Sequence, residues 1–208
     1  MKTATEIIKT LMENKTKLIP NIEKESIAAY CFLNQRYKEI SEKKKKVSKD
    51  YLFKFIFRSY YRLDSAGLSD AFKDKYFQLL EAKVSDLKTI LAVLYNINTL
   101  RGYNTVQFSF ASKLLHTIDN SNPIFDSNIS LIIGDKPDGT RKDEKISSCT
   151  EFYKKLKTLY KELMKRSEIQ SYISEFKETY KKYAFIDISD TKILDFMLWS
   201  LGKLTKID

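Results

Sequence analysis

Residues 100–134 combine a turn, a helix and a carboxylate at a spacing that could do chemistry. Gly102 lies in the turn, residues 106–117 have the pattern of a helix, and an extended Pro123-Ile124-Phe125 delivers Asp126 to the start of another helix. Glycine adopts positive φ without strain, so such a turn can present backbone N–H groups to an anion such as a phosphate. The segment therefore predicts an anion-binding turn followed by a positioned carboxylate.

Two roles are open to Asp126. A carboxylate held beside a sugar can stabilise the positive charge that develops when a glycosidic bond breaks, and it can orient a water molecule. Asp126 and Ser127 can equally cap a helix over residues 128–133, a common role for Asp and Ser. The sequence alone leaves both roles open.

Cysteine and histidine are too scarce for most metal chemistry. The chain contains Cys31, Cys149 and His116, whereas a tetrahedral zinc site or a cubane iron–sulfur cluster needs four ligands. We expect no metal site and, without a Gly-rich phosphate loop, no cofactor. Cys31 lies in an apolar helical run, which is typical of a buried, inert thiol. His116 follows two leucines and is expected to be a hydrogen-bonded residue at a helix end rather than a general base.

Helices must position these residues, because five glycines and three prolines are all that interrupt 208 residues. The expected fold class is all-α with at least eight helices. Ser85 is the predicted N-cap of one helix, Ser189 or Asp190 caps the last helix, and Gly202 ends it. The lysine run 43–46 is expected to be a solvated boundary. Apolar residues at three- and four-residue steps predict helices over residues 22–40, 49–62, 69–82, 85–97, 106–117, 146–165, 168–183 and 189–200.

The charge balance suits a polyanionic partner. The chain has 37 Lys and Arg against 27 Asp and Glu, a formal net charge of +10, which is typical of nucleic-acid-binding proteins. Lysine also serves to keep helices soluble, so the charge alone does not decide. The N-terminus lacks the apolar region of a signal peptide, and no stretch is long enough to span a bilayer. We expect a cytoplasmic protein with no membrane segment.

The residues around the turn and Asp126 resemble the helix-hairpin-helix DNA glycosylase superfamily, the group of endonuclease III and 8-oxoguanine DNA glycosylase. The resemblance is carried by Leu100-Arg101-Gly102-Tyr103, the helix 106–117 and Ile124-Phe125-Asp126-Ser127-Asn128-Ile129. It implies a two-lobed fold around a central helix-hairpin-helix, with the DNA-facing cleft between the lobes. Residues 1–45 and 145–208 would form one lobe, and residues 50–140 the other.

The chain departs from that family at two points. Bifunctional members carry a nucleophilic lysine about eighteen residues before the catalytic Asp, where this chain has Phe108. Lys113 lies five residues further on, and at ~100° per residue it points away from the face of Phe108. The turn reads Gly102-Tyr103-Asn104 in place of Gly-x-Gly. The resemblance therefore implies a monofunctional reaction, in which Asp126 stabilises the sugar cation and no lysine forms a Schiff base.

Base excision needs a pocket with an aromatic wall for the extruded base. In the last helix, Lys192, Asp195 and Trp199 line up opposite a broad apolar face. Trp199 and Asp195, together with Phe108, are the predicted base pocket. The alternative is that Trp199 packs on a neighbouring helix and Asp195 pairs with Lys192. The predicted DNA-contacting residues lie in the hairpin and the helix after it, and they are Arg101, Gly102, Asn104, Thr105, Gln107 and Lys113.

The expected function is a DNA-binding, glycosylase-like protein that excises a damaged or modified base, in repair or in defence against foreign DNA. A non-catalytic helical module that binds nucleic acid or a protein is the alternative, and the missing lysine favours it. A third possibility is an all-α interaction protein in which the hairpin match is accidental. If the hairpin binds DNA, charge reversal at Arg101 should weaken binding more than reversal in the lysine run 43–46.

Overall fold

The computed structural model describes residues 1–206, and this part of the chain is entirely helical. It contains eleven α-helices, short 3₁₀ turns at Val47–Lys49 and Asp64–Ala66, and no strand. The predicted all-α class is confirmed. Within this range no helix has the length and apolar character needed to cross a membrane. The helices are α1 (Ala4–Glu13), α2 (Lys15–Leu18), α3 (Lys24–Glu42), α4 (Tyr51–Tyr60), α5 (Asp70–Glu81), α6 (Leu87–Tyr95), α7 (Phe108–Ile118), α8 (Ser127–Ile133), α9 (Lys142–Met164), α10 (Ser167–Tyr180) and α11 (Asp190–Leu204).

Side-chain caps explain where the first helices begin. Thr3 and Glu6 form a capping box at the start of α1. Helix α1 was not among the predicted helices, although Thr-x-x-Glu is the usual sequence signature of a capping box at a helix N-terminus. The prediction that Ser85 caps α6 was wrong, because Asp86 is the N-cap. Asp86 lies one residue nearer, and its carboxylate accepts a hydrogen bond from the Thr89 amide at 2.8 Å.

The last helix begins as predicted and runs past its predicted end. Ser189 caps α11 through a hydrogen bond from the Lys192 amide. Gly202 was predicted to end the helix, and this was wrong because it serves as a contact point inside α11. A Cβ at Gly202 would lie 2.6 Å from the Cβ of Asn128 and 2.7 Å from its carbonyl oxygen. Glycine therefore lets α11 lie directly against α8, and these two helices make the most extensive helix–helix contact in the fold.

Helix α11 lies at the centre of the molecule. Residues 192–198 are all buried, and the helix contacts α1, α2, α8, α9 and α10. A helix buried on all sides has no polar face. The predicted polar side, with Lys192 and Asp195 exposed beside Trp199, was therefore wrong for the two charged residues, which are as buried as their apolar neighbours.

Helices from both predicted lobes pack against each other. Helix α8 packs on α11, α6 packs on α9, and α4 packs on α3. The N-terminal residues also contact α8. The Lys2 amide donates a hydrogen bond of 2.7 Å to the carbonyl of Ile133, at the end of that helix. The division into two lobes stays a prediction, and α8 lies where the lobes would meet.

Helices α6 and α7 pack against each other, and residues 96–107 connect them. Gly102 has a φ of +79°, and its amide donates to the Thr99 carbonyl at 3.0 Å. The Tyr103 carbonyl accepts hydrogen bonds from both the amide and the hydroxyl of Thr99. The turn is therefore closed by its own hydrogen bonds, and the Gly102 N–H is used within it.

Candidate functional site

Asp126 is held in place by the segment that precedes it. The Ser112 hydroxyl of α7 accepts a hydrogen bond from the Phe125 amide at 3.0 Å and donates to the Ser109 carbonyl at 2.9 Å. The Phe125 ring lies 4.7 Å from the ring of Phe108, centroid to centroid. These contacts fix the backbone just before Asp126 against α7.

The carboxylate of Asp126 caps α8. Its Oδ1 accepts hydrogen bonds from the amides of Asn128 and Ile129 at 2.9 and 3.0 Å, which is the capping role left open by the sequence. Among residues 1–206, no hydrogen bond or ion pair engages its Oδ2, and the residue is partly exposed. The cap thus orients the carboxylate and leaves one oxygen free for a ligand.

The charges of Asp126, Lys192 and Asp195 act on Lys113, as does that of Arg62, and Asp195 in turn feels Lys113, Asp126 and Lys192. We call Lys113, Asp126, Lys192 and Asp195 the central ionic cluster. Lys192 Nζ lies 2.7 Å from Asp195 Oδ2, and both side chains are about 5% exposed. The Lys192 ammonium also lies 4.3 Å from the centre of the Phe196 ring. The pairing of Asp195 with Lys192, which the sequence offered as an alternative to a base pocket, is the arrangement observed.

Lys113 contributes a second amine to the central ionic cluster. Its Nζ lies 4.8 Å from the centre of the Phe110 ring and 3.5 Å from the Tyr61 carbonyl. Burial lowers the pKa of Lys113 to about 8, although the charges of Asp126 and Asp195 act in the opposite direction. Lys113 is partly buried, and its predicted contact with DNA stays a prediction.

The interior beside the cluster also holds polar atoms without partners. Asp195 Oδ1 and the Tyr160 hydroxyl are both buried, and neither has a hydrogen-bond partner in residues 1–206. Burial raises the pKa of Asp195, opposed by the charge of Lys192. Burial also raises the pKa of Tyr160, and the charges of Asp195 and Asp126 raise it further. This interior therefore favours neutral forms over isolated charges.

His116 is buried next to the cluster and its hydrogen bonds are satisfied. Nδ1 lies 2.7 Å from the Asn122 carbonyl, so it carries the proton, and Nε2 accepts from the Tyr30 hydroxyl at 3.0 Å. Burial lowers the pKa of His116 to about 3. The imidazole therefore stays neutral at ordinary pH and fixes α7 against α3, as expected for a structural histidine.

The two aromatic residues of the predicted base pocket differ in their surroundings. Phe108 is buried in an aromatic group with Phe125, Phe152 and Tyr153, and so it belongs to the core. Trp199 is partly exposed, and the Lys203 ammonium lies 4.8 Å from the centre of its ring. The base pocket formed by these rings and Asp195 stays a prediction.

The predicted DNA-contacting residues of the hairpin lie at the surface, away from the buried cluster. Arg101, Gly102 and Asn104 are exposed. Thr105 and Gln107 are partly exposed and hydrogen-bond to each other through their side chains. The hairpin thus presents the Arg101 guanidinium on a closed turn, and no ion pair engages it in the part of the chain that the structure describes.

Sequence reasoning missed the inward direction of Lys113 and the tyrosines around it. The signal was present in α7, where Phe110-Ala111-Ser112-Lys113-Leu114-Leu115 offers almost no polar face to solvent. A lysine in such a helix is either buried or lies where its stem covers apolar surface. In residues 1–206, no group of three or more His, Cys, Asp or Glu side chains is arranged to hold a metal ion.

Comparison with known proteins adds no relative from which a role could be transferred. No protein-family model matches the chain. No curated protein and no solved structure matches it either.

Proposed function

We propose that this protein is a DNA-binding, glycosylase-like enzyme that excises a damaged or modified base by a monofunctional mechanism. The observation that carries the proposal is the carboxylate of Asp126. Its Oδ1 is fixed by two backbone amides, while its Oδ2 is free within the described residues and the side chain is partly exposed. A fixed carboxylate with one open oxygen is suited to stabilising a positively charged sugar and to orienting a water molecule.

The other residues of the central ionic cluster support the charge of Asp126. The Lys113 ammonium and the Asp126 carboxylate attract each other. Lys192 is already engaged by Asp195 at 2.7 Å. Such a reaction needs no covalent bond between enzyme and sugar, and we expect borohydride to trap no adduct. An adduct at Lys113 would show that this amine acts as a nucleophile and would contradict the monofunctional mechanism.

DNA is the proposed partner, and the cytoplasm is the proposed location. The net charge of +10 suits binding to a polyanion, and neutralised phosphates release counterions, so affinity should fall steeply with added salt. Cys31 and Cys149 are free and buried, which agrees with a reducing compartment.

The test is incubation of the protein with a panel of base-modified duplexes and with phage DNA, scored for free base by mass spectrometry. Asp126→Asn should abolish base release without unfolding the protein, because the amide keeps the shape and a capping oxygen while losing the charge. Asp86→Asn is the matched control, since Asp86 caps α6 in the same way and lies outside the cluster. Base release retained in Asp126→Asn, or lost equally in both variants, would reject the role of Asp126.

A non-catalytic module that binds nucleic acid or a protein is the second candidate. The observation in its favour is that Phe108 is packed in the core and that the Lys203 ammonium lies over the Trp199 ring, where an extruded base would stack. This candidate predicts salt-sensitive DNA binding with no free base from any substrate of the panel. Asp126→Asn would then leave every measured activity unchanged.

A further inference from the structure

The start of α4 exposes three large apolar side chains on one face. Tyr51 is 74% exposed, Leu52 is 59% exposed and Phe55 is 62% exposed. The opposite face of the same helix is anchored in the core through Phe53 and Phe57, which are fully buried. An exposed cluster of this kind is uncommon on a folded monomer and marks a surface that meets a partner.

Lysines precede this apolar face in the sequence. Residues 43–46 and Lys49 are all lysines, and all are exposed. Within the described residues none of these side chains forms an ion pair. Lys44, Lys45 and Lys46 line a cavity of about 260 Å³ together with Lys83, which comes from the end of α5.

Nearby acidic side chains form no ion pair with these lysines within the described residues. Asp50 pairs with Arg36 at 2.7 Å. Glu81, which also lines the cavity, accepts hydrogen bonds from the amide and hydroxyl of Ser48. Lys44 and Lys83 follow the last turns of α3 and α5, so part of their positive charge offsets the partial negative charge at the C-terminal ends of these helices. The rest is available to an anionic partner.

We propose that this surface, which we call the aromatic–lysine surface (residues 43–46, Lys49, Tyr51, Leu52 and Phe55), binds single-stranded nucleic acid. Tyr51 and Phe55 are one helical turn apart, so their rings are separated by roughly 6 Å along the helix axis and can each stack on an unpaired base. The lysines contact the phosphates that connect these bases. Stacking rings beside a row of cations are the usual elements of sequence-independent single-strand binding.

The geometry favours a nucleic acid over a lipid surface. A helix that binds a membrane inserts its main apolar face between the headgroups. In α4 that face is occupied by the core through Phe53 and Phe57, so what remains exposed is short and mostly aromatic. The inference is independent of base excision, because it concerns a surface that contains no residue of the central ionic cluster. Residues 43–46 are exposed, as expected for a solvated run, and the proposal adds a ligand for them.

The first test measures binding of the full chain to a fluorescein-labelled oligothymidine by fluorescence anisotropy. Tyr51→Ala and Phe55→Ala should each weaken binding roughly fivefold or more, because each removes one stacked base. Phe185→Ala is the matched control, since Phe185 is 58% exposed and lies far along the chain, between α10 and α11. Absence of binding by the unmodified protein, or an equal loss in the control, would overturn the proposal.

The second test separates this surface from the general positive charge of the chain. Lys44→Glu, Lys45→Glu and Lys46→Glu combined should weaken oligothymidine binding far more than the same reversal at Lys154, Lys155 and Lys161, which are exposed on α9. Equal losses would overturn the proposal. The same variants are also tested for binding to phosphatidylserine vesicles. If Phe55→Ala abolished vesicle binding and left oligothymidine binding unchanged, the partner would be a membrane and the proposal would be overturned. Circular dichroism spectra of all variants should match the unmodified protein, since every substituted side chain is at the surface.

Discussion

Replacing Lys113 with Met should remove a rise in stability between pH 7 and pH 9. Burial lowers the pKa of Lys113 from 10.5 to about 8, so the folded state binds fewer protons than the unfolded state between these values. The free energy of unfolding therefore increases with pH in this window. Proton linkage gives a gain of ~1.3 kcal/mol between pH 7 and pH 9, equivalent to a melting temperature higher by roughly 3–5 °C in a chain of this size.

The measurement is urea unfolding of the unmodified protein and of Lys113→Met at pH 7, 8 and 9. Methionine keeps the apolar stem and removes the charge, so the difference in unfolding free energy between the two proteins should change by ~1.3 kcal/mol over this range. Other groups that titrate here, such as Cys149, whose pKa burial raises to about 11, are common to both proteins and cancel. A difference that stays constant from pH 7 to pH 9 would refute the lowered pKa and the burial of the ammonium.

Three further predictions concern α11 and the carboxylate that caps α8. Asp195→Ala should cost roughly 3–5 kcal/mol of unfolding free energy because it leaves the Lys192 ammonium buried without its partner, whereas replacing both residues by apolar ones should cost much less; a double-mutant cycle in urea measures this. Gly202→Ala should lower stability by roughly 1–3 kcal/mol despite the better helix propensity of Ala, because its Cβ would lie 2.6 Å from the Cβ of Asn128; unchanged urea midpoints would contradict it. Asp126→Asn should leave the far-ultraviolet circular dichroism spectrum unchanged, and an unfolded variant would mean that the residue serves only as a cap.

The helical class could be predicted from the sequence because periodicity and the rarity of Gly and Pro are local properties. The ends of helices were less predictable where tertiary contacts decide. Gly202 has the usual character of a helix end, yet the close approach of Asn128, 74 positions earlier in the chain, keeps it inside α11. No local pattern contains that contact.

The candidate site was predictable at Asp126 for the same local reason, since an extended Pro123-Ile124-Phe125 before an Asp signals a cap. The burial of Lys192 and Asp195 was not predictable from their spacing, because a Lys-x-x-Asp pair looks the same on an exposed helix. The two side chains are buried because other helices pack around α11. Lys113 differs in this respect, because the apolar residues around it in α7 carry a local signal.

The contact between α8 and α11 has a consequence for the order in which the protein folds. Asp126 caps α8, but α8 gains its main support from α11, which is made later in synthesis because it lies further along the chain. The hydrogen bond from Lys2 to Ile133 ties the opposite end of the chain to the same helix. Such contacts between distant parts of a sequence form late and slow the folding of a domain. A nascent chain that lacks α11 therefore carries an Asp126 whose helix is without its main support, so whatever chemistry this carboxylate performs begins only after α11 has been made and has packed on α8.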